Sequence, residues 1–64
     1  MIQKFSITYK GAIYRFEFAP SDGIVWLIDE NKIPSKTNLG QEEPAKNLDE
    51  ARIIAKQMLH ALGY

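Results

Sequence analysis

Sixty-four residues without a cysteine make one small domain, residues 1–64, in which neither a disulfide nor a thiolate metal site can form. Apolar residues make up 45% of the chain, above the disordered range, so a packed core is within reach. Eight basic and eight acidic side chains cancel, which removes any overall pull toward nucleic acid or an anionic membrane.

From Gln3 to Lys10 polar and apolar residues alternate, with Phe5, Ile7 and Tyr9 on one side and Lys4, Ser6, Thr8 and Lys10 on the other. That is the pattern of a half-buried strand. It is unlike a signal peptide, whose core is continuously apolar. The alternation returns from Ala12 to Ala19, with Tyr14, Phe16 and Phe18 against Ile13, Arg15 and Glu17. Lys10-Gly11 between them predicts a two-residue hairpin turn. Pairing Tyr9 with Ala12 sets Ile7 against Tyr14 and Phe5 against Phe16, so the apolar residues share a face.

"APSDG", Ala19 to Gly23, signals a turn before the unbroken apolar run Ile24 to Ile28. A five-residue loop would pair Phe18 with Ile24 and Phe16 with Trp26, placing Ile24, Trp26 and Ile28 in the core. A four-residue loop would reverse the strand and bury Val25 and Leu27 instead. Burial of the tryptophan favours the first register. In it, Val25 and Leu27 join Ile13 on the second face of the sheet.

Residues 31–46 have no period and are broken by Pro34, Gly40 and Pro44. A short strand near Thr37–Leu39 is expected, with Ile33 and Leu39 as anchors if the loop wraps the core. The final segment reads as a helix. Asn47 is its N-cap, Glu50 completes a capping-box pattern, and Gly63 follows its end. Leu48, Ala51, Ile54, Ala55, Met58, Leu59 and Leu62 form one stripe, with Ile53 on the opposite side. The expected fold class is α+β, a three-stranded antiparallel meander packed on one face by a C-terminal helix (βββα), with a long loop before the helix.

Catalytic chemistry has no foothold here. His60 is the only histidine, the acidic pairs Asp29-Glu30 and Glu42-Glu43 are neighbours in sequence rather than across a cleft, and the four glycines are scattered. No cofactor and no metal site is expected, and no apolar run approaches the roughly 20 residues of a membrane span. The expectation is a non-enzymatic, cytoplasmic protein-interaction module. Its interface would comprise Ile13, Val25, Leu27 and Ile53, or the edge of the third strand, which carries neither charge nor proline before Asp29. The partner would be another protein or a second copy.

The alternative is a nucleic-acid-binding face of Lys4, Ser6, Thr8, Lys10 and Arg15. In the order and number of its elements the chain resembles the arm-type DNA-binding domains of some phage-type tyrosine recombinases. That resemblance implies a three-stranded sheet laid in the major groove, with those five residues at phosphates and bases. Small antitoxins with a βββα partial ribonuclease H-like fold are similar to the same degree.

Overall fold

The first two strands form where the alternation predicts, in a computed structural model that describes Met1–Tyr64. Strands β1 (Gln3–Tyr9) and β2 (Ala12–Ala19) are antiparallel, with Phe5 opposite Phe16, Ile7 opposite Tyr14 and Tyr9 opposite Ala12. Lys10 and Gly11 turn the chain with φ of +52° and +81°. Positive φ at both central residues is the type I′ arrangement, whose twist matches that of the strands. Gly11 adopts it freely, whereas Lys10 does so at a cost of about 1 kcal/mol.

Strand β3 (Ile24–Ile28) overturns the expected register. Ala19 lies opposite Ile24, Phe18 opposite Val25 and Phe16 opposite Leu27, so the connecting loop is the four residues Pro20–Gly23. Val25 and Leu27 are therefore core residues, 0% and 1% exposed, rather than members of the second face. Ile24, Trp26 and Ile28 take that face instead. Two physical causes are visible. The Ala19 carbonyl accepts from both Asp22 N (3.2 Å) and Gly23 N (2.8 Å), closing the turn at Gly23, which has φ of +72°. A Cβ there would lie 2.6 Å from Pro44 Cβ and 2.9 Å from the Ala45 carbonyl, so only glycine fits. The indole also needs an acceptor. Beneath the helix it would strand its N–H in an apolar core, whereas here Trp26 Nε1 donates to Glu17 Oε1 at 2.8 Å.

Helix α1 (Leu48–Ala61) carries the expected caps. Asn47 Oδ1 accepts from Glu50 N at 2.9 Å, and Glu50 Oε1 accepts from Lys46 N at 3.0 Å, one residue before the usual capping-box donor. At the far end Gly63 has φ of +83°, and Tyr64 N donates to the Leu59 carbonyl while Gly63 N donates to that of His60. This is a Schellman closure. It delivers Tyr64 edge-on to Tyr14, ring centroids 5.1 Å apart, with its hydroxyl accepting from Lys32 Nζ at 2.8 Å. Ala51, Ala55, Met58 and Leu59 pack on Ile7, Phe16, Phe18, Val25 and Leu27, forming the core. Each large side chain buried there contributes roughly 1.5–3 kcal/mol.

The long connection supplies a fourth strand, β4 (Lys36–Thr37), slightly earlier than expected. It pairs Thr37 with Leu27 and Lys36 with Ile28, giving the sheet order β1-β2-β3-β4. Ile33 and Leu39 are exposed and anchor nothing. The anchors are polar. Gln41 Oε1 accepts from Val25 N at 2.9 Å, while Gln41 Nε2 donates to the carbonyls of Gly23 (2.7 Å) and Glu43 (2.9 Å). Asn38 Nδ2 donates to the Val25 carbonyl, and Ala45 N donates to that of Gly23 at 2.9 Å. Where β4 stops, two side-chain amides continue its hydrogen bonding along β3.

Candidate interaction surface

With the helix on one side of the sheet and the long loop along the β3 side, nothing covers the second face. Strand pairing sets its rows. Lys4, Glu17 and Trp26 form one, Ser6, Arg15, Ile28 and Lys36 the next, and Thr8 and Ile13 the third. Trp26 and Ile28 are half-buried, and Ile13 is 72% exposed.

The indole is held in place. Besides the bond to Glu17, Lys36 Nζ lies 5.3 Å from the ring centroid and 3.3 Å from Glu17 Oε1. The Trp26 hydrogen bond, and then Lys36, hold the Glu17 carboxyl below its ordinary value of 4.5 against the opposing effect of burial. Glu17 thus stays ionised at neutral pH and fixes both neighbours. Arg15 pairs with Glu30, both largely exposed. Beside Trp26, a shallow hollow of about 350 Å3 is lined by Lys4, Ser6, Arg15, Glu17, Ile28 and Glu30.

Of the residues expected from sequence to form an interface, only Ile13 lies on this face. Val25 and Leu27 are in the core, and Ile53, 58% exposed, is on the solvent side of α1, across the molecule from Ile13. Lys4, Ser6, Thr8 and Arg15 of the alternative set do share the face. Lys10 leaves it, its Nζ leaning over the Tyr9 ring, 5.4 Å from the centroid. Trp26, Ile28 and Lys36 were missed. The available signal was an indole N–H in need of an acceptor, with Glu17 within reach on the neighbouring strand.

The two sides of the sheet differ in backbone satisfaction. In a type I′ hairpin the closing pair, Tyr9 and Ala12, exchanges hydrogen bonds, so Phe5, Ile7 and Tyr9 bond inward to β2. Lys4, Ser6 and Thr8 then direct N–H and C=O away from the sheet, and no protein group meets them. The same alternation turns the backbone of Val25 and Leu27 outward from β3, where Gln41, Asn38 and β4 receive it. The expectation of an open β3 edge is therefore reversed.

No three His, Cys, Asp or Glu side chains come together as a metal site, and no helix is long and apolar enough to cross a membrane. Comparison with protein-family models, curated proteins and solved structures finds no match to this chain.

Proposed function

We propose that this chain is a non-enzymatic, cytoplasmic protein-interaction module that binds a partner protein through the open sheet face, with Trp26 as the anchor. The carrying observation is the indole itself. It is half-exposed on an uncovered face, yet immobilised by Glu17 and Lys36, so little side-chain freedom is lost when a partner lies on it. The surface that fits has an apolar centre for Trp26 and Ile28 and a carboxylate for Lys4, which has no ion pair of its own. Tryptophan and arginine at the centre of a patch are the residue types that dominate interface energetics.

Charge supports a protein partner ahead of nucleic acid as the first reading. Arg15 and Lys36 already face Glu30 and Glu17, leaving Lys4, itself opposite Glu17, as the one cation of the sheet rows without a direct ion pair. A strand of phosphates needs several.

The test is retention of proteins on the immobilised chain, compared with Trp26→Ala, followed by reconstitution with the purified partner and titration of Trp26 fluorescence. Retention lost with Trp26→Ala, in a variant that keeps its circular dichroism, supports the proposal. Retention that ignores this substitution overturns it. On heparin, indifference is expected. Salt-sensitive retention abolished by Lys4→Glu with Arg15→Glu would establish the nucleic-acid reading instead.

A further inference from the structure

Beyond the open face, the structure assigns the β1 edge as a pairing surface for a second copy of this chain, joining two sheets into one through an antiparallel β1–β1 contact centred on Ser6. The inference rests on backbone chemistry and is independent of the proposed role of Trp26.

Edge strands pair when their outward groups are unmet and their geometry is regular. β1 meets both conditions. It runs seven residues, Gln3–Tyr9, without proline or bulge, and Lys4, Ser6 and Thr8 are exposed. Self-complementarity names the occupant. A twofold axis at Ser6, the midpoint of the strand, sets Ser6 against Ser6, Lys4 against Thr8 and Thr8 against Lys4. Every outward N–H and C=O of the strand then finds a partner in one register.

Side chains fit the same register. Lysine on an edge ordinarily discourages pairing, but here each Lys4 faces a threonine rather than its twin, so no like charges are directly opposed. On the helix-covered side Phe5 meets Ile7, and Tyr9 meets Gln3. Phe5 and Tyr9 are the half-buried members of the aromatic layer on this strand, whereas Ile7 is buried. Pairing extends the apolar layer where it is incomplete. Serine, small and uncharged, occupies the axis, where a charged side chain would directly oppose its own copy.

The assembly also closes. Since the β3 side is occupied by β4, Asn38 and Gln41, and β4 is itself only the two residues Lys36–Thr37, the sheet offers one pairing edge of useful length. An isologous contact through a single edge stops at two copies, whereas two open edges would propagate into a fibre.

Light scattering from micromolar to millimolar concentration, with amide hydrogen exchange at both ends of that range, tests the inference on the full chain. The expected mass rises from 7.3 kDa toward twice that value, and the amides of Lys4, Ser6 and Thr8 become protected as it does. Ser6→Pro removes an outward donor without breaking a bond to β2. Two bonds are lost across the axis, and the dimer should weaken at least about tenfold. Ser6→Lys, which sets two ammonium groups face to face, should dissolve it and serves if the proline variant misfolds. Trp26→Ala should leave the dimer intact. A monomer at every concentration overturns the inference. So does a dimer in which those three amides stay unprotected, or one dissolved by Trp26→Ala but not at Ser6, which would place self-association on the open face.

Discussion

Strands β1 and β3 each turn the backbone of alternate residues away from the β1–β2–β3 meander, and the chain answers only one of them. At β3 a two-residue strand and the amides of Asn38 and Gln41 receive the backbone of Val25 and Leu27, and Ala45 returns to Gly23. At β1 the groups of Lys4, Ser6 and Thr8 remain open. A sheet can thus be ended by side chains imitating peptide units. The segment that does so has no sequence period, because it is built to match a backbone rather than to fill a core.

Leu27→Glu should have the largest effect. The substitution buries a carboxylate among Phe16, Met58 and Leu59 and should cost more than about 4 kcal/mol. A domain of this length holds roughly 3–10 kcal/mol in all, so circular dichroism should report an unfolded chain. A folded, soluble variant would mean that β3 shows its other face to the core and that different groups point outward.

Gln41→Ala comes next. It leaves the Val25 N–H and the Glu43 carbonyl without their partner and the Gly23 carbonyl with Ala45 N alone, at a cost of about 1–3 kcal/mol in urea unfolding. Amide exchange at Val25 should also quicken, since its N–H is then open to water while β4 and Asn38 keep the rest of the edge. A loss below about 0.5 kcal/mol would show that water serves the β3 edge as well as the amide does.

Acid titration should affect the open face to a smaller degree. The Glu17 carboxyl is lowered in the folded state, so its stabilisation is fully present above the ordinary value of 4.5 and is lost as pH falls through the depressed one. Trp26 is the only tryptophan, and its fluorescence should change in that window. Glu17→Gln should flatten the acid slope of stability. An unchanged slope would place the acid sensitivity in other carboxyls.

The mildest change is Lys10→Asn, which should stabilise the hairpin by about 0.5–1 kcal/mol, because asparagine tolerates positive φ. Exchange of the Lys4, Ser6 and Thr8 amides in the monomer should not alter. Destabilisation would mean that the lysine's approach to Tyr9 outweighs its backbone strain.

Where residues alternate or carry a cap, sequence and structure agree. The β1–β2 register, the Lys10-Gly11 turn, Asn47 and Gly63 all stand where pattern and capping chemistry put them. The five apolar residues Ile24–Ile28 were not decidable that way, since a run without alternation suits either face. One residue of loop length settles the choice, and the turn that closes at Gly23 packs against Pro44 and Ala45 from a distant part of the chain. The open face was accordingly legible on β1 and β2, in Lys4, Ser6, Thr8, Ile13 and Arg15, and illegible on β3. Gln41 and Asn38 gave no signal, because a polar side chain in an aperiodic stretch looks solvated until the carbonyl it meets is known.

The cover for the aromatic side of the sheet is the last element of the domain to be synthesised. At about 5–20 residues per second, α1 is completed roughly 2–7 s after β3. Until α1 docks, the meander carries Ile7, Phe16, Phe18, Val25 and Leu27 bare on one side and an unmet edge on another. An undocked helix therefore exposes an apolar face and a free strand edge together, the combination that makes partly folded chains stick to one another.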